Sequence, residues 1–172
     1  LDMIEALQAK VGVNGSAVAT SIDFFMRKNY VKVSDQKTNA SGGTFSSGSW
    51  VTRTLNTEDH DPGGLCSLSI NQITLASGTY RCRIVAPACN VHSHIARLHN
   101  VTDDTQLLLG SVAYSDGNNT ESIVTGLFTV GSSKALEVQH RCFSSQATYG
   151  LGRSEFTTIS SVYTVAEFWK LY

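Results

Sequence analysis

"LEVQHRCF", residues 136–143, sets a glutamate, a histidine, an arginine and a cysteine within a few positions of one another. Those are the residue types of a cysteine hydrolase or a metal site. They are also what a two-faced β-strand looks like when written on one line. Read as a strand, the period of two puts Leu136, Val138, His140 and Cys142 on one face, and Glu137, Gln139 and Arg141 on the other. A Cys/His nucleophile needs a third, orienting group and an oxyanion site, and the neighbouring residues carry no such signature. The stretch is therefore a strand, with His140 a core histidine beside a buried thiol.

The same period of two runs through most of the chain after Tyr30. "YVKVSDQK", "TFSSGSWVTRTLN", "GLCSLSINQITL", "GTYRCRIVAPA", "NVHSHIARLHNV", "QLLLGSVAYS", "ESIVTGLFTV" and "VYTVAEFWKLY" join the opening stretch as predicted strands. Turn residues separate them in "NASGG", "DHDPGG", "SDGNN", "GSS" and "TYGLG". Short strands without helical interludes predict an all-β sandwich or barrel over residues 31–172. Before Tyr30 the period differs. Ile4, Val11, Val18 and Phe25 fall seven apart with Leu7 at a d position, and Gly12, Asn14 and Gly15 interrupt the series. Residues 1–30 are read as a short α-helical, coiled-coil stalk, with Asn14 or Ser16 capping its second piece. Two heptads cannot hold themselves together in water, so this reading asks for partner helices. The other reading is an N-terminal helix folded onto its own domain.

Composition narrows the function classes. The chain has 172 residues, 41% hydrophobic and 16% charged, which fits one folded domain with a small appendage. Thirteen basic residues stand against 14 acidic ones, and no basic run occurs, which argues against nucleic acid as a partner. "QLLLG" and "AEFWKLY" are too short to cross a bilayer. "LDMIEALQAK" lacks the basic and apolar regions of a signal peptide, and a start at Leu1 reads as a fragment or a cleaved product. Cys66, Cys82, Cys89 and Cys142 form no CxxC pair and are read as free thiols, with Cys82–Cys142 the one bridge to consider. No phosphate loop, nucleophile elbow or HExxH motif is present, no catalytic residue stands out and no cofactor is implied.

Three constellations remain as candidates. Arg81 and Arg83 lie opposite Tyr80, Cys82 and Ile84, so two strands each carry a charged ladder, Arg81/Arg83 and Glu137/Gln139/Arg141. Such ladders are either solvated surface or a subunit interface whose unlike charges pair across a symmetry axis and trap a small anion. His92 and His94 share one strand face, as surface histidines or as metal ligands completed around a threefold axis. Asp116, Asn118 and Asn119 sit in the polar loop "SDGNNTE", a turn or a ligand-binding tip flanked by Tyr114. Asn100 and Asn118 also begin Asn-x-Thr triplets, which matter only in a secreted eukaryotic protein.

The phrases "GGTFSSGSWVTRTLNTE", "ITLASGTYRCRIVAPA", "ARLHNVTD", "KALEVQHRC" and "YTVAEFWK" resemble the C-terminal knob shared by tail needles and tail fibres of bacteriophages. "IEALQAKVGVNGSAVATSIDF" is similar to the helical segment that leads into such knobs. The resemblance implies a TNF/C1q-like jelly roll that assembles as a homotrimer, a virion part rather than an enzyme. A needle would close the tail channel, hold the packaged genome and meet the host envelope first. A fibre would hold a host surface glycan or outer-membrane protein. Other tail proteins would join through the upstream stalk, and assembly in a bacterial cytoplasm would keep the cysteines reduced. An extracellular eukaryotic C1q-like module is the more distant reading. The family's phrase near residue 92 often lacks the His92–His94 pair, so no metal is implied by the resemblance.

Overall fold

The computed structural model describes residues 28–172. The expected stalk lies outside the described residues up to residue 27, and Tyr30 already opens the first strand. Twelve strands follow among the described residues: β1 Tyr30–Thr38, β2 Val51–Thr52, β3 Thr57–His60, β4 Cys66–Ser69, β5 Gln72–Leu75, β6 Gly78–Cys89, β7 His92–Asn100, β8 Thr105–Leu109, β9 Ala113–Ser115, β10 Asn119–Val130, β11 Lys134–Cys142 and β12 Ser160–Lys170. They form two antiparallel sheets. One has the order β10-β6-β12-β1-β3. The other runs β4-β5-β11-β7-β8, with β2 also on β11 and β9 also on β7.

Alternation is the reason these segments pair this way. On β10, Ser122, Val124 and Phe128 turn inward while Glu121, Ile123, Thr125 and Leu127 turn out. On β11, Leu136, Val138, His140 and Cys142 are buried and Arg141 is exposed, as the opening stretch predicts. The inward sets of both sheets meet in a core built on Tyr80, Ile84, Leu98, Phe128, Leu136 and Phe168. A second, smaller cluster of Phe45, Ala88, Val91, Cys142 and Leu151 closes one end.

Three expected strands come out differently. "GLCSLSINQITL" is a hairpin, because Ile70 and Asn71 both adopt positive φ, 49° and 65°, between β4 and β5. That is the two-residue turn that favours Asn-Gly, and the β-branched Ile70 occupies it at a steric cost while 90% exposed. "TFSSGSWVTRTLN" contributes only β2 and an isolated bridge from Phe45 to Gln146. "QLLLGSVAYS" divides into β8 and β9. A further strand, β3, arises where turn residues were read, in the charged run Thr57–His60, and such charge suits the sheet edge it forms beside β1.

The segments before β2 and after β11 tie to each other and shut the same end. Gly42 N–H donates to Gly152 O at 2.8 Å, Phe45 N–H to Gln146 O at 2.8 Å and Leu151 N–H to Gly43 O at 3.1 Å. Gly152 holds φ +124°, and a Cβ there would stand 2.5 Å from the Tyr163 ring. Gly152→Ala is expected to cost about 1–3 kcal/mol through backbone strain and that clash, read as a lower urea midpoint. An unchanged midpoint would show that Tyr163 moves aside without loss.

Candidate functional site

The outward face of the seven-stranded sheet carries the densest array of functional side chains. On its inner stretch Glu137 accepts from Thr52 Oγ1 at 2.7 Å, Gln72 Nε2 at 3.0 Å and Gln139 Nε2 at 2.8 Å. Burial pushes this carboxyl up, but those three bonds and nearby His99 outweigh it, and it titrates below the usual glutamate range. Arg97 donates through Nε and Nη2 to Gln139 Oε1 at 2.9 and 2.6 Å, and its guanidinium lies 4.1 Å from the centre of the Trp50 ring. Further along, Ser93 pairs with Tyr114 on β9, and Phe143 N–H donates to Ser93 O at 2.8 Å. The His92 ring lies parallel to Tyr114 at 5.6 Å and stacks on Phe143 at 6.1 Å. Beside these rings is a groove of about 350 Å³, lined by Gly48, Ser93, Ile95, Val112, Arg141 and Phe143, with His94 and Cys142 beneath.

Under this face lies a polar chain inside the sandwich. Arg53 is fully buried and donates from Nε to Thr164 Oγ1 (2.6 Å), from Nη1 to Pro87 O (3.0 Å) and from Nη2 to Leu151 O (2.9 Å). Its Nη1 also points at His140 Nδ1, 3.5 Å away. A guanidinium can only donate, so His140 Nδ1 is the bare nitrogen and Nε2 carries the hydrogen. His140 Nε2 then donates to His94 Nδ1 at 3.0 Å, and His94 Nε2 donates to Thr120 Oγ1 at 2.8 Å. Burial, and after it the charge of Arg53, lowers His94 to about 4 and holds His140 well below the ordinary imidazole value. Burial also lowers Arg53 to about 10, partly opposed by Asp35, which leaves it charged at neutral pH.

The predicted site residues are therefore dispersed. His92 and His94 do not act as a pair: His92 takes φ +59° and joins the outer rings, whereas both His94 nitrogens are engaged inside. No nitrogen of His94 is left for a metal on a threefold axis, and no cluster of three or more metal-type side chains occurs among the described residues. Arg81 and Arg83 face outward on β6, in the sheet opposite to that of Glu137 and Arg141, so the two ladders cannot line one anion site within a protomer. Arg83 meets Glu167 at 3.6 Å and Arg81 lies over Trp169 at 6.0 Å. Asn119 is a strut: its amide donates to Arg153 O and accepts from Arg153 N–H, both at 2.8 Å. Asp116 and Asn118 stay exposed at the loop. All four cysteines are free thiols, so the Cys82–Cys142 bridge is not formed.

No family model and no curated protein matches the chain. Solved structures do match. The globular domain of zebrafish complement 1qA superposes with a TM-score of 0.56 at 12% identity, over 84% of this chain and 98% of that one. PRD1 vertex protein P5 gives 0.52 at 10% identity, over 83% and 97%. Murine APRIL at pH 5.0 gives 0.51 at 11%, over 83% and 98%. The fold is a TNF/C1q-like jelly roll. At such identities the likeness reaches the sandwich and not the side chains upon it.

Arg53 and the ring cluster are the features that sequence reading overlooked. A signal for Arg53 existed: in "WVTRTLN" it has the parity of Val51 and Leu55, both apolar, which marks the inward face. His94 likewise shares parity with Ala96 and Leu98. Tyr114 and Phe143 carry no such signal, because only the topology brings β9 and β11 to the two sides of β7.

Proposed function

We propose that this chain is the distal knob of a phage tail needle, a homotrimeric virion part without catalytic activity. It would close the tail channel, hold the packaged genome and contact or penetrate the host envelope at ejection. The observation that carries the reading is the jelly-roll fold, shared with PRD1 vertex protein P5, in a chain whose phrases resemble needle and fibre knobs. The cross-tied end and the short hairpin turns suit a tip that bears mechanical load. Four free thiols fit assembly in a bacterial cytoplasm. Other tail proteins would attach through the stalk, and no nucleic acid would be a partner of this chain.

Self-association has a candidate surface. On the outward face of the five-stranded sheet, Leu127 is 61% exposed and Ile123 37% exposed, next to Arg81 and Val85 on β6. An isolated protomer leaves that apolar edge in water, and a closed ring of protomers covers it. Light scattering after size exclusion is expected to give the mass of three chains, and Leu127→Glu to give one. A wild-type monomer would overturn the trimer. Particles built with knobless needles are expected to eject DNA at an altered rate, and a normal rate would overturn the needle role.

The second reading, a tail-fibre adhesin for a host glycan or outer-membrane protein, is favoured by the exposed aromatic rings of the other sheet. Saturable binding to host lipopolysaccharide that is lost in an Asp116→Ala/Asn118→Ala variant would place that contact at the loop.

A further inference from the structure

We propose that the groove beside Phe143 on the outward face of the seven-stranded sheet binds an acidic saccharide, with the sugar ring against Phe143 and its carboxylate on Arg141. The site goes beyond tail closure and places saccharide recognition away from the Asp116 loop. It stands on the sandwich alone and holds whether the knob belongs to a needle or a fibre.

The rings are the first observation. Phe143 is 75% exposed and Tyr114 59% exposed, and with His92 they form a stacked row from the end of β11 across β7 to β9. An apolar array of that kind is costly in water. The C–H-rich face of a pyranose complements it, because those hydrogens meet the negative face of the π-system. Ser93 and Ile95 on β7 leave the sheet low between Phe143 and Val112, and the resulting volume of about 350 Å³ suits one or two sugar rings rather than a protein surface.

The charge is the second. Arg141 is exposed at the groove, and its guanidinium makes no hydrogen bond or ion pair with any described residue. The other guanidinium of this face, Arg97, is fixed on Gln139 and Trp50. The carboxylate that would compete for Arg141 four positions back along β11, Glu137, is held by Thr52, Gln72 and Gln139. None of the groove's lining residues is acidic. An open guanidinium fork next to an aromatic wall matches a sugar carboxylate bidentately.

The test is an array of acidic oligosaccharides, containing uronic, sialic and 2-keto-3-deoxyoctonic acids, beside neutral ones, probed with the full chain. The best acidic member is then titrated by NMR. Binding of acidic members is expected, with amide shifts centred on Ser93, Ile95, Arg141 and Phe143. Phe143→Ala is expected to weaken binding about three- to tenfold, the worth of one aromatic contact, and Arg141→Gln to abolish the preference for acidic over neutral sugars. Both positions tested are exposed, so folding is checked by an unchanged urea midpoint. No bound acidic member, equal binding of neutral ones, or shifts confined to the Asp116 loop would each overturn the proposal. A fall in oligomer mass in Phe143→Ala would overturn it in favour of a protomer interface.

Discussion

Arg53→Met should cost about 3–5 kcal/mol of stability, because it leaves several buried acceptors without their donor. The side chain is the tie between the sheets. Its own N–H donates to Val138 O at 2.8 Å on β11, while its guanidinium reaches Thr164 on β12, Pro87 O on β6 and Leu151 O in the segment that closes the end. Methionine fills similar volume, yet it strands two carbonyls, a hydroxyl and an imidazole nitrogen away from water. Each stranded acceptor costs about 1–3 kcal/mol before relaxation, so the sum is reduced but not erased. Arg53→Lys separates charge from geometry. A lysine keeps the charge but has one nitrogen for acceptors spread over several directions, and is expected to lose about 2 kcal/mol or more. Urea midpoints at neutral pH decide it. A loss under about 1 kcal/mol for Arg53→Met would mean that the acceptors find water and the tie is dispensable.

That arginine also marks the boundary of what pattern reading reaches. The strand at 136–143 is legible because each of its faces meets one environment, so chemistry alternates with position. The same logic exposes the polar side of β6 and the inward set of β10. It fails where an edge replaces a face: Thr57–His60 pairs on one side only, and its charges read as a turn. It fails at Ile70, where the hairpin turn is held by its flanking strands and by Asn71 Oδ1 on Leu55 N–H, against the preference of the residue itself. Among site residues, periodicity gives each one's face but not its neighbour across the sheet. Arg81 and Arg141 look alike in sequence and emerge on opposite faces of the sandwich. His92 breaks its own alternation through a positive φ, which no composition rule announces.

Stability should fall steeply as the pH drops from about 6.5 toward 4, because of the buried histidine pair. Among the described residues, the groups facing the pair are Arg53, the partner imidazole, Thr120 and the Phe45 ring, with Asp35 acting through Arg53, and no described carboxylate touches either ring. His94 in the folded protein titrates near 4 and His140 well below the ordinary value, so the unfolded chain takes up protons first. The sign follows from that. Above about pH 6.5 both states are neutral at these positions and the contribution is complete. Below it, the unfolded state gains about 1.4 kcal/mol per pH unit for each histidine, until the folded pKa is reached. Glu137 and Asp103, both lowered, add loss in the same direction at more acid pH. Urea midpoints taken from pH 7 to pH 4 should therefore slope about twice as steeply as one histidine allows. His94→Gln keeps an acceptor and a donor in place, lowers the midpoint at pH 7 and removes about half of that slope. A wild-type curve flat between pH 7 and pH 5 would mean that the folded pair takes up protons in step with the unfolded chain, and that Arg53 tolerates the charge.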